Sequence, residues 1–266
     1  MKYKNPPIVE RLLTVTTECS DEKFYSKLEG WKAIVLDYFP VADPLNEWRL
    51  KIEERRDGLP FISNAEPELT IIHRYWRLDK NNSRYLSVRF LKDQFTINIH
   101  PTSDSPHLFE ELISEYSAWL PKWWAHFELS GCTQLHLDYI NLISQSKTPR
   151  FVNGKGGIEI GKVLNFLGNT PGPFKTIIPP YSSEVTMLVD EAKQSTWGMR
   201  VSSIPPENGH PPAARVDFKA ATANPSFLRT QNDVLSEAQN LHTVVNQQFE
   251  AVFSNEAKAS FEPIKQ

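Results

Sequence analysis

The chain is short of cysteine, of net positive charge and of long apolar runs, and each shortage excludes something. Cys19 and Cys132 are the only cysteines among 266 residues. A disulfide framework or a zinc site needs more thiols at closer spacing, so both read as reduced, partly buried small hydrophobes. Lysine and arginine total 29 against 32 aspartate and glutamate, a formal net charge of −3. Generic binding to nucleic acid needs a basic field that this balance does not supply, although a local basic patch is compatible with it. No stretch approaches the ~18 apolar residues of a membrane span. The opening Met1-Lys2-Tyr3-Lys4-Asn5-Pro6-Pro7 holds no apolar core of about 7–15 residues, the mark of a secretion signal. The expectation is a cytoplasmic protein with no membrane partner. Also missing are His-Glu-x-x-His, Cys-x-x-Cys and Gly-x-Ser-x-Gly. No metal, cofactor or catalytic residue is therefore expected, and the reading leans against an enzyme.

What is there is ordinary globular material. Hydrophobic residues make up 40% and charged residues 23%, which rules out wholesale disorder. A chain of this length buries roughly 70–75% of its unfolded surface, enough for a core without staples. The 20 prolines include four Pro-Pro pairs, at 6–7, 179–180, 205–206 and 211–212. Each removes backbone donors and marks a strand entry or a loop.

Periodicity predicts the elements. Residues 8–17 are β-branched and read as a strand. A helix follows over 21–38, capped by Ser20 or Asp21, with Phe24, Leu28, Trp31, Val35 and Tyr38 on one face. Residues 39–67 read as irregular, with a helical turn around Leu45–Glu54. Strands at 69–78, 84–91 and 94–100 follow, joined by hairpin turns at 80–83 and 92–93. A long helix is expected over about 107–128, with Ser105 as cap, Pro106 in the first turn and Pro121 bending or breaking it. Strand 133–144, a short helix at 158–167, strands at 184–192, 195–203 and 213–221, and a helix over about 231–253 complete the chain. Thr230 and Asp233 approximate a capping box for that last helix.

Each half then reads strand, helix, three antiparallel strands, long helix, and each long helix begins about 100 residues after its half's first strand. The expectation is an α+β protein of two tandem modules, 1–130 and 131–266, duplicated and fused. A doubled antiparallel sheet backed by helices resembles the helix-grip or TATA-binding-protein-like architectures, whose open sheet face binds something. Alternation along the strands supplies such a face. Its candidate ligand- or partner-binding residues are Tyr75, Tyr85, Arg89, Asn98, His100, Arg200, Asp217 and Lys219. The aromatic-plus-arginine makeup, with Arg77, favours binding; a merely solvated sheet face is the plainer alternative.

Other chemistry is sparse. Gly156 to Lys162 has the spacing of a phosphate loop, but Val163 stands where a hydroxyl would hold magnesium, and bulky Ile158 and Ile160 fit a helix start better. His136 and Asp138 share a strand face and read as a surface salt bridge or hydrogen bond before a metal or base site. Glu10, Asp138, Asp190 and Asp217 are the acidic candidates for acid–base work, which would need two of them in one cleft. Trp119 and Trp123 share a helix face and read as core, with a partner contact as the alternative. His126 and His242 read as packed histidines.

Tyr3-x-Asn5-Pro6-Pro7-Ile8-x-Glu10, the segment Leu137-Asp138-Tyr139-Ile140-Asn141-Leu142-Ile143, and the closing Leu241-His242 with Phe249 and Ser254-Asn255-Glu256 carry a resemblance. They resemble landmarks of a sporadically distributed bacterial family of uncharacterised proteins of about 260 residues. Asp138 departs from that pattern, whose members tend to carry arginine or a similar residue before Tyr-Ile-Asn. The resemblance implies accessory genes of the defence or toxin–antitoxin type, and so a non-catalytic binding or interaction protein. The alternative is a small-molecule or nucleotide-binding protein using the polar sheet face, or a hydrolase. Glu10 and Asn141 lie in the first strands of the two halves, where the expectation is a hydrogen bond across the central axis.

Overall fold

The computed structural model describes residues 3, 6–49, 52–54, 60–62, 68–100, 109–153, 157–165, 182–190, 195–204, 212–222 and 228–262. The fold is mixed α and β. The strands are β1 (Ile8–Thr17), β2 (Val41–Ala42), β3 (Leu45–Arg49), β4 (Ile52–Glu54), β5 (Pro60–Ile62), β6 (Glu68–Leu78), β7 (Arg84–Phe90), β8 (Gln94–Ile99), β9 (Cys132–Ile143), β10 (Ser182–Asp190), β11 (Ser195–Ile204) and β12 (Ala213–Thr222). The helices are α1 (Asp21–Leu36), α2 (Phe109–His126), the single turn α3 (Ile160–Val163), α4 (Gln231–Val252) and α5 (Asn255–Ser260).

A sheet of ten strands holds the molecule together, in the order β10-β11-β12-β9-β1-β8-β7-β6-β2, with β3 also on β6. β4 and β5 pair separately. Every described pairing is antiparallel, and β1 meets β9 at the centre with Leu13 opposite Leu137. Leu13, Val15, Phe95, Ile97, Leu135, Leu137, Val216, Phe218 and Ala220 lie on one face and are fully buried. The helices cover that face. Burial of this kind, roughly 1.5–3 kcal/mol for each large apolar side chain, supplies the driving force.

Local chemistry explains the boundaries. Ser20 caps α1 by accepting from the Lys23 N–H. Asp79 accepts from the N–H groups of Asn81 and Ser83, and Asn82 takes a φ of 59°, which closes the β6–β7 hairpin. Leu91 N–H donates to Gln94 O across the Lys92-Asp93 turn. Thr230 and Asp233 form a complete capping box on α4.

The helix α1 buries Phe24, Leu28, Trp31 and Val35 as its spacing predicts. Trp31 has ring contacts with Phe90, Phe95, Trp119 and Trp123, so the tryptophans of α2 serve the core. Replacing fully buried Trp31 with alanine would cost about 3–5 kcal/mol. At the other end of the sheet, α4 and α5 bring Phe249, Phe253 and Phe261 together over Phe218.

Four local expectations are corrected. Tyr38 lies beyond the end of α1 and is exposed. Leu45–Glu54 holds strand segments instead of a helical turn; the alternation of Leu45, Glu47 and Arg49 with Asn46 and Trp48 has no helical stripe. The helix α2 runs unbroken through Pro121. The short helix of the second half is one turn, Ile160–Val163, and residues 166–167 lie outside the described residues. Ser105 and Pro106, the expected start of α2, also lie outside them, as do Asp190's expected neighbours 191–192 and the Pro-Pro pairs at 179–180 and 205–206. Among the described residues no helix is long and apolar enough to cross a membrane.

Candidate functional site

The sheet face away from the helices carries the polar halves of the alternating strands. Arg74 and Trp76 come from β6, Ser87 and Arg89 from β7, Thr96 and Asn98 from β8, Glu10, Leu12 and Thr14 from β1, His136 and Asp138 from β9, Arg215, Asp217 and Lys219 from β12, and Thr196, Gly198 and Arg200 from β11. Cross-strand register sets their rows. Arg89, Thr96, Thr14 and His136 follow one another across β7, β8, β1 and β9. Leu12, Asp138, Lys219 and Gly198 do so across β1, β9, β12 and β11.

The half of this face around Glu10 is withdrawn from water, while Arg200 and Lys219 on the other half are exposed. Ser87 and Asn98 are fully buried, and Thr14 and Thr96 nearly so. The side chains of Glu10 and His136 are 17% and 15% exposed. Ser87 Oγ, Arg89 Nε, Asn98 Oδ1 and His136 Nδ1 are buried without a hydrogen-bond partner among the described residues. Each such atom costs about 1–3 kcal/mol.

Three of the eight predicted residues gather on Glu10. Arg89 Nη2 lies 2.7 Å from Glu10 Oε1. Asn98 Nδ2 donates to the same oxygen and lies 2.9 Å from His100 Nε2. His100 Nε2 is 3.5 Å from the carboxylate, and the His100 ring leans on Trp76 at 4.9 Å between centroids. A neighbouring knot forms on Asp43, which accepts from Arg74, Arg84 and the Trp76 indole.

Three more gather at the other half of the sheet. Arg200, Asp217 and Lys219 line a cavity of about 410 Å³ with Gln134, Asp138, Thr196 and Gly198. Arg200 stands opposite Asp217 and Lys219 opposite Asp138. Arg215 Nε donates to both Asp217 oxygens at 2.8 Å. Gly198 sits within unbroken β11 pairing, so its missing side chain leaves the cavity floor to backbone.

The remaining two are corrected. Tyr75 is on the helix side, stacked on Phe90 at 5.7 Å, because even-numbered Arg74 and Trp76 take the polar face of β6. Tyr85 is the extra residue of a bulge: Arg77 pairs with Leu86 and Leu78 with Arg84. It leans on the core and on Arg77, whose guanidinium lies over Phe39 and bonds Glu115 on the same side. The expected Glu10–Asn141 hydrogen bond is absent too. Asn141 is buried and donates to Val216 O.

Electrostatics separate His136 from Asp138, which are 3.4 Å apart. Burial pushes the Asp138 carboxyl up to about 7; the fields of Asp217 and Glu10 add to this, while Lys219 and Arg215 oppose it. Burial, then Lys219, pushes His136 down to about 3. The pair is therefore a neutral imidazole beside a carboxyl that titrates near neutrality, so of the expected salt bridge or hydrogen bond the charged form is the one not favoured. Burial also raises Asp217 against its Arg215 hydrogen bonds. A carboxyl poised in this way donates or accepts according to its ligand.

No family model, curated protein or solved structure matches the chain. The site is therefore read from its own geometry. Among the described residues no three His, Cys, Asp or Glu side chains group as metal ligands. Gly156 of the phosphate-loop spacing lies outside the described residues; Lys162 pairs with Glu159 at 2.7 Å and Val163 is buried. His107 and His210 also lie outside. Two features escaped the sequence reading. One is Gly198, signalled by a lone glycine inside a strand pattern. The other is Asp43, hidden in a segment read as irregular.

Proposed function

We propose that the chain is a non-catalytic binding protein that holds an anionic, metabolite-sized ligand on the polar face of its sheet, in the cavity above Gly198. One observation carries the reading: Arg200, Lys219, Asp138 and Asp217 converge on a cavity of about 410 Å³, within the usual range of roughly 300–1,000 Å³ for small-molecule sites. Arg200 and Lys219 supply the positive charge, and Asp138, near its titration point, supplies a donor for an anion's oxygen. A panel of nucleoside phosphates and small organic acids in thermal-shift assays tests it. The expected result is saturable stabilisation by a phosphate- or carboxylate-bearing member. It disappears in the Arg200→Ala/Lys219→Ala double variant while the unliganded midpoint stays within a few degrees. No response from any anion contradicts the reading.

The duplicated, TATA-binding-protein-like architecture belongs to the same proposal, and the strand order supports it. Outward from the β1–β9 centre, one side runs β8, β7, β6 and the other β12, β11, β10. Each is the last, middle and first strand of its half's trio. Two fused modules would make one site from two unlike copies of one face.

A second reading, partner binding within a bacterial accessory system, follows from the family resemblance and is favoured by a surface patch. Tyr25 and Ile71 are 65% and 50% exposed beside a cavity also lined by Phe24, Leu28 and His73. Exposed apolar side chains rimmed by Asp21, Lys92 and Asp93 suit a protein contact. Co-purification of one stoichiometric protein, lost on Tyr25→Asp/Ile71→Asp, would support it; retention in that variant would remove it.

A further inference from the structure

A second cavity lies on the opposite side of the sheet, between α2 and α4. Arg11 forms its charged wall, with Tyr139, His242, Phe109, Phe249 and Ile8 around it. Arg11 is 9% exposed on the largely apolar face beneath the helices. Its guanidinium carbon rests 5.2 Å from the Tyr139 ring centroid. Tyr139 acts on it through a hydrogen bond and Glu110 and Glu111 through their fields, while its Nε has no hydrogen-bond partner among the described residues. A charge so far from water is normally paired with an opposite charge. The surroundings are fixed: Tyr139 Oη is 2.7 Å from His242 Nδ1, His242 Nε2 is 3.0 Å from Asn246 Nδ2, and the His242 ring stacks on Phe109 at 3.7 Å. Walls fixed by these contacts, and a buried cation whose Nε has no hydrogen-bond partner among the described residues, make a built site and not a packing void.

We propose that this cavity binds a small monocarboxylate, its carboxylate on Arg11 and its apolar end against Ile8, Phe109 and Phe249. The guanidinium fork matches a carboxylate in shape as well as charge. The cavity of about 120 Å³ holds the equivalent of about four waters, which suits a ligand of about five or six heavy atoms. Glu110 at its edge carries a negative charge that favours a monoanion over inorganic phosphate, while Glu250 is held by Tyr3 and Lys258.

The test is calorimetric titration with propionate, its uncharged isostere propionamide, and inorganic phosphate. Propionate is expected to bind saturably, and the other two at least about tenfold more weakly. Arg11→Met should abolish propionate binding. Glu110→Gln, at an exposed position, should tighten it roughly two- to fivefold by removing a nearby like charge. Equal binding of propionamide, phosphate binding as tight as propionate, no saturable binding, or retention in Arg11→Met overturns the proposal. If Arg11→Met does not fold, Glu110→Gln decides: tighter binding supports it, and unchanged or weaker binding overturns it.

Discussion

The two halves of the polar sheet face use the same residue types to opposite effect. Around Glu10, the groups of Arg89, Asn98 and His100 close on one carboxylate. Across the sheet, Arg200, Lys219, Asp138 and Asp217 stand around a cavity. The difference begins with one missing side chain. Gly198 sits between Thr196 and Arg200 on β11 and opposite Lys219, where any other residue would fill the gap. The first arrangement is a strut, because its charges neutralise one another. The second pairs Asp217 with Arg215 but leaves Arg200 and Lys219 around open volume, with the Asp138 carboxyl held near its titration point. Polar content alone does not separate a brace from a receptor; the open volume between the groups does.

Removing the strut's hub should have the largest effect. Glu10→Ala leaves Arg89 partly buried and unpaired, and is expected to lower unfolding free energy by about 3–5 kcal/mol in urea titration. Asp217→Asn, on the cavity side, should cost less than about 1 kcal/mol. Equal costs would erase the contrast. It follows that Arg89→Ala should destabilise the chain without touching ligand response at the cavity.

The next effect is in pH. The Asp138 carboxyl is raised in the fold, so its contribution to stability is full below about pH 4 and is lost as pH rises through about 7. His136 is depressed, so its contribution is full above about 6.5 and is lost as pH falls toward about 3. Between about pH 4 and 6.5 the two slopes oppose and nearly cancel, because each state holds one proton on the pair. Asp138→Asn should unmask the histidine slope, a loss of about 3 kcal/mol on going from pH 7 to 4. His136→Asn should unmask the opposite slope, of similar size. Variants that keep the wild-type pH profile would show that the pair is not desolvated.

The smallest stability change is expected at the cavity floor. Gly198→Ala should stabilise the strand by about 0.5–1 kcal/mol while weakening any ligand seated above it. Chemical denaturation gives the first number and titration of the responding anion the second. A variant that binds as well as the wild type would move the ligand elsewhere.

Much of the scaffold was legible because each element carried its own signal. The hydrophobic alternation of β7, β8, β11 and β12 and the stripes of α1 and α4 name their buried faces directly. Strand β6 does not: Ile72, His73, Arg74, Tyr75, Trp76 and Arg77 put aromatic or cationic residues on both sides, so parity could not be read and Tyr75 was placed on the wrong face. Tyr85 failed for a different reason. A bulge shifts the count by one residue, and only pairing with Arg77 and Leu78 reveals it. Of the site, Arg89, Asn98, His100, Arg200, Asp217 and Lys219 were legible as one polar face. Their division into brace and cavity depends on pairing across strands far apart in sequence. Arg11 carried no signal at all, since a lone arginine in a β-branched strand reads as solvent-facing.

The most direct measurement is native mass spectrometry of the freshly purified protein beside its Gly198→Val variant. The account predicts an added mass of metabolite size on the wild type, released on denaturation and absent from the variant. Wild type and variant each at the bare mass of its own chain, together with no stabilisation of the wild type by any tested anion, would contradict it.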